Sequence, residues 1–170
     1  MRKVWWILII VFGVLILGGA LFYFTQINNV FAEKKDLEKP EVDVNLLLET
    51  PGTQIINEEH VEYIANEIGS YKLHSYEGES AVIVFEMTDI DKKIAVVKNG
   101  ESYVTEDIPD SIDLIVKSNQ LTAAELIESE DLSESIVSLV EEGKIEVELV
   151  SDMTTLTLKG FLAVYEELTG

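Results

Sequence analysis

The longest apolar run in the chain comes first: residues 4–24 (VWWILIIVFGVLILGGALFYF) carry no charge over 21 positions, and about 20 are enough to cross a ~30 Å hydrocarbon layer as a helix. Trp5, Trp6 and Tyr23 stand at its ends, where amphipathic rings favour the headgroup zone, and Arg2 and Lys3 lie just outside. This pattern predicts a single-pass anchor over 1–24, with the N-terminus cytoplasmic and the rest of the chain extracytoplasmic. Val30-Phe31-Ala32 supports a second reading, a leader cleaved after Ala32 and a secreted body, although the run exceeds the roughly 7 to 15 apolar residues of an ordinary leader. Residues 25–40 are polar and lysine/glutamate-rich and read as a tether.

From 41 to 170 the periodicity changes repeatedly, as in one globular unit. Asn57 followed by Glu58-Glu59, with Val61, Ile64, Ala65 and Ile68 at helical spacing, predicts a helix over 57–68. Short β-rich runs follow at 81–87 (AVIVFEM), 93–97, 102–105 and 112–117 (IDLIVK), punctuated by Thr88-Asp89, Asn99-Gly100 and Pro109-Asp110. Successive antiparallel strands are expected, the turn at Asn99-Gly100 being of the kind that favours φ > 0. Ser118 is a candidate cap for a helix to about 129, and Leu132, Ile136, Leu139 and Val140 mark another that stops at Gly143. In 144–150 (KIEVELV), Ile145, Val147 and Leu149 alternate with charged residues, predicting a strand with one apolar face. A last helix is expected over 153–168, capped by Ser151 or Asp152, with an apolar arc wider than a surface helix needs. Gly160 in its middle suggests close backbone packing or room for a ligand.

Charge narrows the choice of function. All 32 carboxylates lie after residue 32, where ten lysines oppose them, so this part carries a net charge of −22. A basic face for nucleic acid is excluded. The absence of cysteine removes disulfides, thiol catalysis and Cys-ligated metals. With only His60 and His74, a hydrolytic triad or His-rich metal centre has almost no raw material. No cofactor is expected. His60, beside Glu58-Glu59, is expected to be a solvated first-turn residue rather than a ligand, and His74 an exposed loop residue. The pairs Glu141-Glu142 and Glu166-Glu167 read as a solvated acidic face. No catalytic residue is expected.

The order helix, strand meander, strand, two short helices, strand and apolar C-terminal helix resembles the sterol carrier protein type 2 (sterol-transfer) fold. Residues 110–130 (DSIDLIVKSNQLTAAELIESE) look like that family's late strand and polar-capped helix, and 139–168 (LVEEGKIEVELVSDMTTLTLKGFLAVYEEL) like its Gly-Lys-Ile strand and amphipathic ending. The likeness covers about 57–168, while 41–56 departs from the long first helix of many members. It implies an α+β domain, here expected as an antiparallel five-stranded sheet packed with helices. It also implies an apolar tunnel between sheet and C-terminal helix, holding a lipid or fatty-acyl chain without chemistry. Met153, Leu158, Phe161, Leu162 and Tyr165 are the candidate lining. Two functions are therefore expected to compete. One is a membrane-tethered lipid-binding module with the bilayer as partner. The other is an anchored acidic interaction module with a filled core and a basic protein partner.

Overall fold

A computed structural model describes residues 33–169, with side chains as far as Tyr165. The expected anchor, its orientation, cleavage after Ala32 and the first half of the tether lie outside the described residues. Among those described, no helix is long and apolar enough to cross a membrane.

The architecture is α+β. Helix α1 (Val44–Glu49) is capped by Asp43, and α2 (Glu58–Glu67) starts at Asn57, whose side chain accepts from the Glu59 and His60 amides. Strands β1 (Ala81–Met87), β2 (Lys92–Asn99), β3 (Glu101–Thr105) and β4 (Leu114–Ser118) follow. Helices α3 (Gln120–Glu128) and α4 (Leu132–Glu141) then lead to β5 (Glu146–Leu149), α5 (Met153–Leu158) and α6 (Phe161–Thr169). The α3 cap is Asn119, one residue beyond the expected Ser118. Asp131 caps α4.

The sheet has the order β3-β2-β1-β4-β5. It is mixed, not antiparallel throughout as expected, because β4 runs parallel to β1 with Ile83 opposite Leu114 and Phe85 opposite Val116. The cause is the segment 106–113, which carries the chain from the β3 edge back across β2 and β1 before β4 begins. Crossing three strand spacings and returning along a five-residue strand needs roughly 22 Å, and eight extended residues reach about 27 Å. Pro109 holds the preceding residue in the extended region that such a path requires. The crossing also covers the rear of the sheet. Val82, Val84, Ala95 and Val97 form a second apolar cluster there, roofed by Ile108 and Ile112 and flanked by Ile115. The main core lies on the front face, where Ile83, Phe85, Met87, Ile94, Val96 and Val116 meet the helices.

The residues before α2 have little regular structure, and buried side chains replace the missing backbone partners. Asn66 donates to the Lys35 carbonyl (2.9 Å) and accepts from its amide (3.0 Å). Gln120 accepts from the amides of Ile55 (2.7 Å) and Ile56 (3.2 Å) and donates to Thr53 (3.0 Å). Lys34–Glu67 and Lys35–Glu62 ion pairs strap the same stretch to α2. Residues 33–40, expected to be free tether, are thus held on the domain.

The expected last helix is two helices. Gly160 adopts φ 91°, the left-handed region, between α5 and α6. A Cβ there would stand 2.8 Å from the Lys72 carbonyl oxygen and 3.0 Å from His74 Nδ1. Close backbone approach, not ligand space, explains this glycine. Gly100, with φ 78° at the β2–β3 turn, has nothing within 4 Å of such a Cβ. Gly160→Ala should therefore lose about 2–4 kcal/mol through strain plus clash, and Gly100→Ala about 1–2 kcal/mol through strain alone. Urea unfolding of the two variants measures the difference.

Candidate functional site

The C-terminal helices owe their position to one buried charge pair. Lys159, the last residue before the Gly160 break, turns its side chain inward, and its ammonium donates to both carboxylate oxygens of Asp113 (2.9 and 3.0 Å) and to the Ser80 carbonyl (2.8 Å). Both side chains are 0% exposed. Asp113 closes the remaining valences: its Oδ2 accepts from the Val82 amide (2.9 Å) and its Oδ1 from the Ser151 hydroxyl (2.6 Å). Its backbone carbonyl accepts from Val150 and Ser151, and its amide donates to Val82. One aspartate thereby joins the start of β1, the start of β4, the end of β5 and the end of α5. The Lys159 carbonyl also accepts from the His74 amide at 3.1 Å, fixing the loop beneath Gly160. Neither residue stood out in the sequence, where Asp113 sits in an apolar strand pattern and Lys159 in a helical one. The one available sign was an aspartate interrupting IDLIVK.

Among the five expected lining residues, the structure divides one from four. Phe161 is 8% exposed and belongs to the core with Leu156 and Val164. Met153 (66%), Leu158 (40%), Leu162 (47%) and Tyr165 (62%) face solvent. Leu162 and Tyr165 lie three apart and share a side of α6. Beneath α5 and α6, Leu156, Phe161 and Val164 pack with the rest of the core.

In β5, Val147 and Leu149 share one face, as the alternation predicts. Ile145 is buried, but Val147 and Leu149 are exposed. They pair with Val116 and Leu114 and so face the front of the sheet, yet β5 is its edge and the helices do not cover it. Of twelve large hydrophobic side chains exposed among the described residues, eight fall between Val140 and Tyr165. On the rear of β5 and β4, Lys117 pairs with Glu148 (2.7 Å) and Glu146 (3.8 Å). The Lys117 hydrogen bond pulls the Glu148 carboxyl below its usual range.

Asp152 caps α5. The Thr155 hydroxyl, then the Thr155 and Thr154 amides, hold its carboxyl below the ordinary range. The cap is complete above the usual carboxylate pKa and is lost as pH falls through the lowered one.

The histidines are structural. His60 is 5% exposed, not solvated; Asn57 engages its Nδ1, and its Nε2 lies 3.1 Å from the Glu41 carbonyl oxygen. His74 is half-buried against Gly160, where a surface loop residue was expected. Among the described residues, no three metal-ligating side chains converge.

No family model matches the chain, and no curated protein does. Among solved structures it is similar to "UbiJ-SCP2 Ubiquinone synthesis protein", with a TM-score of 0.36 and 16% identity, covering 52% of this chain and 70% of that one.

Removing one partner of the buried pair leaves an uncompensated charge, so Asp113→Asn and Lys159→Met should each cost about 3–5 kcal/mol. The double variant should lose clearly less than the sum of the two, since neither charge is then stranded. Chemical unfolding of the three variants tests this coupling.

Proposed function

We propose that the protein is a membrane-tethered, non-enzymatic lipid-binding module that engages acyl chains on the outer side of α5 and α6 rather than in an internal tunnel. The carrying observation is the exposure of Met153, Leu158, Leu162 and Tyr165 on these two helices, in a domain whose remaining surface is strongly acidic. Clusters of exposed apolar side chains of this kind mark sites of association with membranes or partners.

The magnitudes suit a tethered module. Full burial of a large apolar side chain contributes about 1.5–3 kcal/mol, so covering four half-exposed ones contributes roughly 4 kcal/mol, equivalent to a Kd of about 1 mM. That is too weak for capture from solution. It suits a module held at the membrane by an anchor, which raises its effective concentration there. The domain then samples the near membrane surface, outside the cytoplasm by the charge bias of the leader. A net negative surface gains nothing from anionic headgroups, so apolar contact carries the docking.

The alternative is an anchored acidic module that binds a basic partner, and salt separates the two readings. Charge-driven association weakens steeply with ionic strength, whereas apolar contact does not. In proteoliposomes of the full chain containing a phospholipid with a photoactivatable acyl chain, crosslinks should map to 153–165 and persist at about 1 M salt. Leu158→Asp with Leu162→Asp should lower labelling at least about fivefold, leaving the unfolding midpoint unchanged. Labelling confined to other regions, or indifferent to these substitutions, would refute the proposal.

A further inference from the structure

A second site lies away from α5 and α6. Between the β2–β3 hairpin, α2 and the strapped segment at Glu33–Lys35 there is a cavity of about 400 Å³, within the range of small-molecule sites. Val96 and Val104 pair across the strands on the front face, and two residues further along Lys98 pairs with Ser102, so both side chains point to the same side, into this cavity. Ala65 and Asn66 of α2 form the facing wall, the two polar atoms of Asn66 being spent on the Lys35 backbone.

Two groups here are left without partners. The Ser102 hydroxyl is buried and makes no hydrogen bond, a costly state that a native structure resolves with a bound water, ion or ligand. Lys98 is half-buried and has neither an ion pair nor a side-chain hydrogen bond among the described residues. Every other lysine from Lys34 to Lys159 is engaged: for example Lys92 by Glu106, Lys93 by Glu86 and Lys144 by Glu142. Burial, then the nearby Lys35 charge, lowers the Lys98 pKa against the opposing Glu101 charge. In a chain with 32 carboxylates, an unpaired lysine beside an unpaired hydroxyl is a feature that surface charge pairing does not explain.

The rest of the wall restricts the ligand. Lys35 is neutralised by Glu62 at 2.7 Å, while Glu33 and Glu101, both exposed, also line the cavity and the Glu101 charge reaches Lys98. A simple anion would meet Lys98 but be repelled by those carboxylates. We infer that the cavity binds a small zwitterion, its anionic oxygens on Lys98 Nζ and the Ser102 hydroxyl and its primary ammonium against Glu33 and Glu101. An amino acid and a phosphoethanolamine headgroup share this chemistry. The site stands whether or not the α5–α6 surface binds lipid.

The test titrates the full chain, in lipid-free detergent, with glycine, with sn-glycero-3-phosphoethanolamine and with inorganic phosphate, reading saturable ligand-observed NMR. One of the two zwitterions should saturate below about 10 mM, with phosphate about tenfold weaker. Lys98→Met should weaken that binding about tenfold and Ser102→Ala about threefold. Neither variant removes an existing contact, so the unfolding midpoint should hold, and Ser102→Ala decides the matter if Lys98→Met fails to fold. Displacement of glycerophosphoethanolamine by phosphatidylethanolamine in mixed micelles assigns the ligand to a lipid headgroup; without displacement, or with glycine alone saturating, the ligand is a free zwitterion. Saturation by neither zwitterion, phosphate binding as tightly, or binding that both substitutions leave unchanged would overturn the inference.

Discussion

Placing an ammonium and a carboxylate where neither touches water is the constraint around which this domain is arranged. Each ion carries a desolvation penalty of several kcal/mol, which is offset only if every lone pair and proton is satisfied. Asp113 and Lys159 meet that condition by recruiting the Val82 amide, the Ser151 hydroxyl and the Ser80 carbonyl. Those partners come from the start of β1, the end of β5 and the loop before β1, so the pair forms only when all of them are in register. Apolar residues of equal volume would tolerate a shifted strand; this arrangement does not. The parallel pairing of β1 and β4, the left-handed break at Gly160 and the inward turn of Lys159 are linked through it.

The same principle, side chains standing in for a missing ladder, governs the segment ahead of α2. Asn66, His60 and Gln120 are polar residues at 4%, 5% and 0% exposure, and each holds backbone groups of a chain that has no strand neighbour. An amide side chain offers a donor and an acceptor on one plane and therefore copies a peptide group. This frees residues 33–56 from the sheet while keeping Ile55 and Ile56 in the core. It also brings Glu33 and Lys35 to the wall of the Lys98 cavity.

Local structure was legible from the sequence because it depends on local patterns. The AVIVFEM strand was found with its observed limits, and the α2 start and the Gly143 stop were read from capping residues. What failed was whatever depended on distant partners. Nothing local distinguishes a strand that turns back beside its predecessor from one that crosses to the far side of the sheet, so β4 was expected to be antiparallel. A glycine within a helical period reads the same whether it continues the helix or breaks it. The alternation of β5 and the apolar arc of the last helix each give an apolar face. They are partly exposed, since hydrophobic pattern reports which side could be covered, not whether another element covers it. The buried polar residues were missed for the complementary reason: Lys159, Asp113 and Gln120 look like surface residues until their partners, 31 or more positions away, are in place.

The crossing at 106–113 has a consequence for the order in which the chain assembles. β1 is the most apolar strand and occupies the middle of the sheet, yet it leaves the ribosome first. β2 and β3 can zip onto one of its sides through short hairpins, while the other side waits for β4, whose register with β1 spans 31 residues. Until then the nascent domain displays an open, largely apolar strand edge, the feature most prone to recruit another chain. A cotranslational hazard is thus written into the topology, and it ends only when the diagonal segment has drawn β4 into place.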